Sequence, residues 1–268
     1  SKVESRKSKA EKKPGDRSEE RNQTGYMNPN TIKIENKGKT QIIAHRGVSG
    51  LERENTHAAF VAAGNRSYFG IESDVHRTAD GKFVMIHDDD TARVAIDKLP
   101  VEETTYETLR ALRLTDMDGK RGRSDLRIPS LSEYVSICKK YGKIGVLELK
   151  NAFSVSDILS ICEEIDAQDY FNSMIFISFC YDNLVLLKRN RPEAEAQFLT
   201  VRFTEDLVER LTEYDLGLDI YYKYLTAENV ALCHENGICV NCWTVDSAED
   251  AAMLIGYGVD YITSNILE

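Results

Sequence analysis

Residues 71–89 read IESDVHRTADGKFVMIHDD, and this stretch joins two apolar runs through a short polar turn. Glu72 and Asp74 stand two residues apart inside the first run, and His87 ends the second. Ionised carboxylates at core-like positions are costly unless they are paired, hydrogen-bonded or bound to a metal. Because residues i and i+2 of a strand share a face, both carboxylates are expected to point to the same side.

From residue 41 onward, short apolar runs alternate with helical patterns. The runs predicted as barrel strands are residues 41–45, 70–75, 144–150, 174–179, 196–201, 217–222, 237–243 and 259–264. The helical patterns lie at residues 54–64, 130–142, 154–165, 181–190, 204–214, 226–237 and 247–258. Several patterns begin at Ser, Thr or Asp and end at Gly, as helices commonly do. This alternation predicts an α/β fold, a (β/α)8 TIM barrel.

Residues 83–87, FVMIH, form one more strand-like run close behind the second barrel strand. A parallel crossover needs about a dozen or more residues, and far fewer are present here. We therefore predict an antiparallel hairpin after the second barrel strand. That hairpin would bring His87 back beside Glu72 and Asp74.

Further polar side chains stand at the predicted carboxyl ends of other strands. His45 and Arg46 follow the first strand, Glu148 and Lys150 share one face of the third, and Trp243 ends the seventh. Polar residues at the carboxyl ends of TIM-barrel strands usually carry the chemistry of the protein. The sequence thus predicts a single rim with three carboxylates, two imidazoles and two cationic side chains.

Three carboxylates without paired soft ligands predict a site for one hard divalent cation, Mg²⁺ or Ca²⁺. Arg46 and Lys150 suit a phosphate group. His45 and His87 can act as acid and base on opposite sides of a phosphorus atom. Taken singly, a strand-end carboxylate is more often solvated or ion-paired, and a lone His is more often structural. Their joint placement favours phosphodiester cleavage.

Overall charge and composition limit the classes of partner and the cellular compartments that are expected for this protein. A formal net charge of −10 argues against nucleic acid, which binds clustered basic surface. No apolar run is long enough to span a bilayer, so no membrane span is predicted in this chain. The six cysteines sit mostly among apolar neighbours and predict free thiols, which favours the cytoplasm, with a tethered or exported protein as the alternative. The sequence specifies no oligomeric state.

The first residues differ from the rest of the chain. Residues 1–38 are rich in both charges and poor in large apolar side chains, which predicts a disordered leader. Residues 39–268 are predicted to form the barrel domain.

Several motifs together resemble the glycerophosphodiester phosphodiesterase family. They are HRGVSGLERENTHAAF (45–60), IESDVHRTADGKFVMIHDDDTARV (71–94), LELK (147–150), ISF (177–179), WTVD (243–246) and GVDYITSN (258–265). The resemblance covers about residues 41–268. It implies a metal-dependent TIM barrel that hydrolyses glycerophosphodiesters to glycerol 3-phosphate and an alcohol.

By position in these motifs, the resemblance implies a role for each residue of the rim. His45 and His87 are the acid/base pair, and the metal ligands are Glu72, Asp74 and Glu148. Arg46 and Lys150 hold the phosphate, and Phe179 and Trp243 line the glycerol side.

At three places the sequence departs from the resemblance. Arg53 stands where Pro is common, Asp246 where Asn is frequent, and TSN at 263–265 replaces a usual TD. These departures are expected to affect the choice of substrate rather than the chemistry.

Two other functions compete with the hydrolase. A sphingomyelinase-D-like or lysophospholipase-D-like phosphotransferase resembles the same site, and would release a cyclic phosphate from intact lysophospholipids. A catalytically inactive, phosphate-binding barrel is the second alternative, although the full set of His and carboxylate residues speaks against it. For the hydrolase we expect a cyclic glycerol phosphate intermediate, because a neighbouring hydroxyl is held at high effective concentration. Direct attack by water is the alternative route.

Overall fold

Parallel pairing of neighbouring strands closes a barrel in the computed structural model, which describes residues 30–268. In chain order the strands are β1 (Gln41–Ala44), β2 (Gly70–Arg77), β3 (Phe83–Met85), β4 (Ile144–Leu149), β5 (Met174–Ser178), β6 (Glu195–Thr200), β7 (Gly217–Tyr221), β8 (Val240–Trp243) and β9 (Tyr261–Ser264). All except β3 lie in the barrel, in chain order around it. Parallel pairing of β1 with both β2 and β9 closes the ring, so the predicted TIM barrel is confirmed.

Helices follow the barrel strands in the alternation that the sequence predicts. They are α1 (His57–Gly64), α2 (Tyr106–Ala111), α3 (Leu131–Tyr141), α4 (Val155–Asp166), α5 (Tyr181–Asn190), α6 (Leu207–Glu213), α7 (Ala227–Glu235) and α8 (Ala248–Tyr257). Ser130 and Ser154 each form a capping box at the start of α3 and α4, which satisfies backbone N–H groups there. These local signals explain why most helix boundaries could be predicted within a few residues.

Strand β3 returns antiparallel beside β2, which confirms the predicted hairpin. Val75 is paired with Met85 and Arg77 with Phe83. One residue after β3, the Ile86 N–H donates to the Asp74 carbonyl at 3.0 Å. The chain is therefore held against β2 as it reaches the next residue, His87.

The segment 88–129 was given no element in the sequence analysis, and it contains α2 and a small core of its own. Val84 and Ile86 of the hairpin pack with the apolar residues of this segment, which are Val94, Ala95, Val101, Leu109, Leu114, Leu126 and Ile128. They are spread over short turns with little periodicity, so their clustering depends on the β2–β3 hairpin against which they pack. The Arg53 Nε–H ties the segment to the loop after β1 by donating to the Thr115 carbonyl at 2.6 Å.

The barrel interior is filled by a compact apolar cluster beneath the rim. Its buried members are Ile43, Val146, Ile175, Ile177 and Leu199. A larger cluster packs the outer faces of the strands against the helices. This arrangement is a filled core rather than a pore, so a site must form at an end of the barrel, and TIM-barrel enzymes form it at the carboxyl ends of the strands.

Most of the predicted leader, residues 1–29, lies outside the described residues. Its remaining part is not separate from the barrel, because Ile32 exchanges backbone hydrogen bonds with Ile266 and Glu268 at 3.0 and 2.8 Å. The compact unit that contains the barrel begins at Thr31, whereas the start of the barrel domain at residue 39 stays a prediction. Within residues 30–268, the structure has no helix with the length and apolar character needed to cross a membrane.

Candidate active site

A cavity of about 100 Å³ opens at the carboxyl ends of the barrel strands. The predicted site residues that line it are His45, Arg46, Glu72, His87, Glu148, Phe179 and Trp243. Lys150 and Asp74 join this group, because Lys150 Nζ lies 2.8 Å from Glu148 Oε1 and 3.5 Å from Asp74 Oδ1. The structure therefore places every residue of the predicted rim in one location.

A larger groove, of about 670 Å³, lies at the opposite end of the barrel, before β1, β8 and β9. Lys37, Lys39, His234 and Asp260 are among its lining residues. None of the predicted site residues reaches this groove, so we assign the chemistry to the smaller cavity.

Three carboxylates meet at the base of the small cavity. Ligand oxygens of Glu72, Asp74 and Glu148 lie within 4.8 Å of one another, and all three residues are buried. Burial and the neighbouring carboxylates raise the pKa of Glu72 well above its usual range and that of Glu148 to about 7. Asp74 Oδ1 is buried without a hydrogen bond from any described residue. Crowded carboxylates with an unsatisfied oxygen fit a divalent cation, which takes oxygen ligands.

Two cationic side chains adjoin these carboxylates. Arg46 Nε lies 3.6 Å from Asp74 Oδ2, and Lys150 contacts both Asp74 and Glu148. Burial would raise the pKa of Asp74, but Lys150 and Arg46 hold it well below its usual range. Arg46 has a φ of +53°, and in this left-handed turn its backbone N–H donates to Glu72 Oε2 at 2.7 Å. The loop after β1 therefore orients Glu72 and carries the Arg46 side chain into the site.

Hydrogen bonds assign the tautomer of His45. Its Nδ1 lies 2.7 Å from Asn265 Oδ1, which also accepts from the Ser49 hydroxyl, while Asn265 Nδ2 donates to Asp246. The Asn265 oxygen must therefore accept from His45, which leaves the lone pair of His45 on Nε2. That atom lies 4.0 Å from Glu72 Oε2. Burial, and then Arg46, lower the pKa of His45 to about 4, so it is neutral at physiological pH.

Two of the positions at which the sequence departs from the resemblance lie beside a candidate catalytic residue. Asp246 and Asn265 are two of the departures, and their side chains contact each other at 2.7 Å. Asn265 also contacts Nδ1 of His45. Asn265 therefore places a neutral amide oxygen on the ring of a candidate catalytic residue.

His87 has a different partner. Its Nδ1 lies 2.6 Å from Asp88 Oδ1, so the ring donates to a carboxylate and keeps Nε2 free. Burial, together with the positive charges of Arg46 and Lys150, lowers the pKa of His87 below its usual value, although Asp74 and Asp88 act in the opposite direction. The fully buried His76 donates from Nε2 to the His87 carbonyl at 3.2 Å. The sequence analysis gave His76 no role, and it steadies the backbone beneath His87.

An ion-pair chain that sequence reasoning missed connects the two sides of the site. Asp88 accepts from Arg93 at 2.7 Å, Arg93 donates to Glu54 at 2.9 Å, and Glu54 accepts from Arg46 at 2.9 Å. Asn55, the neighbour of Glu54, donates to Asp74 Oδ2 at 2.7 Å. Glu54 and Asn55 belong to the motif at residues 45–60. Their contacts become visible only in the structure, where both residues lie in the loop before α1.

Aromatic side chains form the opposite wall. The rings of Phe179 and Trp243 meet edge to face with centroids 5.6 Å apart, and Tyr221 packs against Trp243 at 5.4 Å. Phe179 is 46 % exposed, so it borders the mouth rather than the core. This wall offers an apolar surface across the cavity from the charged groups.

Asp219 is a further carboxyl in the cavity that the sequence analysis did not single out. It lies on β7, is 1 % exposed, and its Oδ1 has no hydrogen-bond partner among residues 30–268. Burial, with Glu148 second, raises its pKa well above the usual range. A carboxylate inside the apolar run GLDIYY is the same signal that Glu72 gives, and it could have been noticed.

Comparison with known proteins decides the family. The model of the glycerophosphoryl diester phosphodiesterase family matches residues 45–267. This chain belongs to that family. A glycerophosphodiester phosphodiesterase of Caldanaerobacter subterraneus subsp. tengcongensis is 30 % identical over 235 residues, which cover 85 % of this chain and 94 % of the relative. The resemblance predicted from the motifs is confirmed, and so is the enzyme class.

Solved structures of the family agree with the barrel. An Oleispira antarctica phosphodiesterase in complex with the product sn-glycerol-3-phosphate is 28 % identical, with a TM-score of 0.72. The match covers 84 % of this chain and 93 % of that one. A protein of Galdieria sulphuraria described as a possible member is 26 % identical, with a TM-score of 0.76 over 88 % of this chain and 95 % of that one.

Proposed function

We propose that this protein hydrolyses glycerophosphodiesters to glycerol 3-phosphate and an alcohol, with one divalent cation and two His residues as acid and base. The observation that carries the proposal is the convergence of three buried carboxylates, two cationic side chains and two imidazoles on one cavity. The Oleispira antarctica relative, which holds sn-glycerol-3-phosphate, supports the choice of substrate.

Glu72, Asp74 and Glu148 would hold the cation, Mg²⁺ or Ca²⁺. When bound, the ion would offset the charge of the phosphate and would lower the pKa of the attacking hydroxyl. Arg46 and Lys150 would bind the phosphoryl oxygens and stabilise the charge that develops on them. Both side chains are mostly buried and already adjoin the carboxylates, so little reorganisation is needed when the phosphate enters.

His45 is assigned as the base of the first step because its Nε2 carries a lone pair at neutral pH. A hydroxyl of the glycerol attacks phosphorus, and its proton moves to His45 Nε2. The bond from phosphorus to the alcohol oxygen breaks, and that oxygen takes a proton from His87 Nε2. The product of this step is a cyclic glycerol phosphate and the free alcohol.

The roles of the two imidazoles reverse in the second step. His87 takes a proton from water as the water oxygen attacks phosphorus, and His45 protonates the departing ring oxygen. Both residues then return to their starting states. Burial lowers the pKa of His87 before the substrate binds, so the proton that His87 donates would be taken up as the negatively charged phosphate enters. The Asp88 carboxylate on Nδ1 supports that imidazolium form.

The competing functions predict different products. A lysophospholipase-D-like phosphotransferase would stop after the first step and release the cyclic phosphate, and an inactive barrel would bind phosphate only. The complete set of candidate catalytic residues in the cavity argues against the inactive barrel, and the family match supports the hydrolase over the phosphotransferase.

For the compartment we propose the cytoplasm, with a membrane-tethered or exported protein as the alternative. All six cysteines lie among the described residues and none is in a disulfide. A protein with six free thiols and no disulfide among its described residues is typical of a reducing compartment.

Phosphorus NMR of a reaction mixture tests the proposed function. The protein is incubated with a glycerophosphodiester panel and Mg²⁺ or Ca²⁺, and we expect glycerol 3-phosphate as the final product and no turnover after chelation. Glu148→Ala and His87→Ala should both be inactive, whereas Glu195→Ala, which removes an exposed carboxylate on β6, serves as the matched control. Full turnover in a thoroughly chelated sample would contradict the metal assignment, and accumulation of cyclic phosphate would favour the phosphotransferase.

The route is tested with a diester whose neighbouring hydroxyl is replaced by hydrogen. The cyclic route predicts that this analogue is not turned over. Turnover at the rate of the parent diester would instead show that water attacks directly.

A further inference from the structure

Asp219 is a buried carboxyl for which the proposed mechanism has no use. It lines the same cavity as His45 and Glu148, but it lies on β7, whereas the candidate metal ligands lie on β2 and β4. Within β7 it precedes Tyr221, which contacts the rim residue Trp243, by two residues. Asp219 therefore faces the cavity from the aromatic side, one layer below the rim.

Among residues 30–268, no group hydrogen-bonds Oδ1 of the Asp219 carboxyl. The described residues include no cation paired with it, and none of their groups donates to its Oδ1, although the residue is 1 % exposed. The neighbouring Trp243 indole bonds the backbone carbonyl of Asp219 at 3.4 Å and leaves the carboxyl untouched. Buried polar groups are almost always hydrogen-bonded, because an unmade bond costs the full desolvation of the group. The missing partner is therefore expected to arrive with the substrate.

The surroundings limit what that partner can be. Among residues 30–268, the carboxylates whose oxygens lie within 4.8 Å of one another are those of Glu72, Asp74 and Glu148. Asp219 is not one of them, so we do not assign it as a metal ligand. A phosphate group would be served better by Arg46 and Lys150 on the other wall. A hydroxyl both donates and accepts, and a neutral carboxyl, the form that burial favours, does the same.

We propose that Asp219 is a specificity-determining residue that hydrogen-bonds a hydroxyl of the glycerol group of the substrate. This inference rests on the proposed function, in which the phosphate lies between the two His residues. The glycerol then extends toward β7, with Phe179 and Trp243 against its carbon atoms and Asp219 below them. The residue would let the site distinguish a polyol phosphate from a simple alkyl phosphate.

Two ligands of equal carbon number test this role. Binding of sn-glycerol 3-phosphate and of n-propyl phosphate, which lacks both hydroxyls, is measured by calorimetry on the metal-loaded protein and its Asp219→Ala and Asp219→Asn variants. We expect Asp219→Ala to weaken binding of glycerol 3-phosphate by about 10- to 100-fold, the range expected for a lost buried hydrogen bond, and to leave propyl phosphate within about two-fold. Asp219→Asn keeps a donor and an acceptor and should retain most of the preference.

Equal weakening of both ligands by Asp219→Ala, or no weakening of either, would overturn the proposal. An Asn variant as poor as the Ala variant would also overturn it, since a charge would then be required rather than a hydrogen-bonding pair. If Asp219→Ala does not fold, Asp219→Val, which suits a strand, replaces it. Turnover of glycerophosphocholine by the unmodified protein is recorded alongside, so that an absent activity is distinguished from an incorrect role for Asp219.

Discussion

Replacing Glu148 by Gln is expected to stabilise the metal-free protein at pH 8, although it should abolish activity. Glu148 is mostly buried beside Asp74, and burial followed by Asp74 raises its pKa from 4.5 to about 7. The folded protein therefore binds more protons than the unfolded chain in this range, and its stability falls as the pH rises from about 4.5 to about 7.

The size of the effect follows from the same values. At about 1.4 kcal/mol for each pH unit, the ionised Glu148 carboxylate destabilises the metal-free fold by about 3 kcal/mol above pH 7. Gln retains an oxygen that can accept from Lys150 but carries no charge. We therefore expect Glu148→Gln to raise the free energy of unfolding by roughly 1–3 kcal/mol at pH 8, and by little at pH 5, where Glu148 is largely protonated.

Urea unfolding of the parent protein and of Glu148→Gln, in EDTA at pH 5 and pH 8, measures this difference in the free energy of unfolding. Both proteins contain His45, so the contribution of its titration cancels in the comparison. Glu195→Gln is the matched control, because it removes the same charge from an exposed position on β6. Saturating Mg²⁺ or Ca²⁺ should reverse the order at pH 8, since a ligand at about 100 times its Kd adds about 2.7 kcal/mol to the protein that binds it. A variant that is less stable than the parent by the same amount at both pH values would refute the like-charge reasoning.

Three further expectations concern the imidazoles and the core. Asn265→Asp places a carboxylate on His45 Nδ1 and raises its pKa, so the acidic limb of the kcat/KM profile should move to higher pH; an unmoved limb would argue against His45 as the base. Asp88→Asn removes a group that raises the pKa of His87, and the alkaline limb should move to lower pH, which the same profile checks. Tyr134→Phe removes a buried hydroxyl that donates to the Ile71 carbonyl at 2.7 Å, and it should cost about 1 kcal/mol in urea unfolding without changing kcat.

Local patterns in the sequence account for the barrel and for most of its rim. Strand runs and helix caps are signals within a few residues, and the two-residue period places Glu72 and Asp74 on one face whatever the rest of the chain does. The short turn before FVMIH can only give a hairpin, so the position of His87 also follows from chain length. The segment 88–129 lacked such signals because its apolar residues show little periodicity and cluster with Val84 and Ile86 of the completed hairpin.

Contacts across the barrel depended on its closure. Asn265 meets His45 because β9 closes against β1, and these two residues are 220 positions apart in the chain. Asp219 faces the carboxylates because β7 and β4 stand in one ring, and nothing within a few residues of Asp219 indicates this. The sequence by itself determined which side chains reach the rim, because the strand period is local. The tertiary structure alone decided which partners they meet there, because barrel closure joins residues that are remote in the chain.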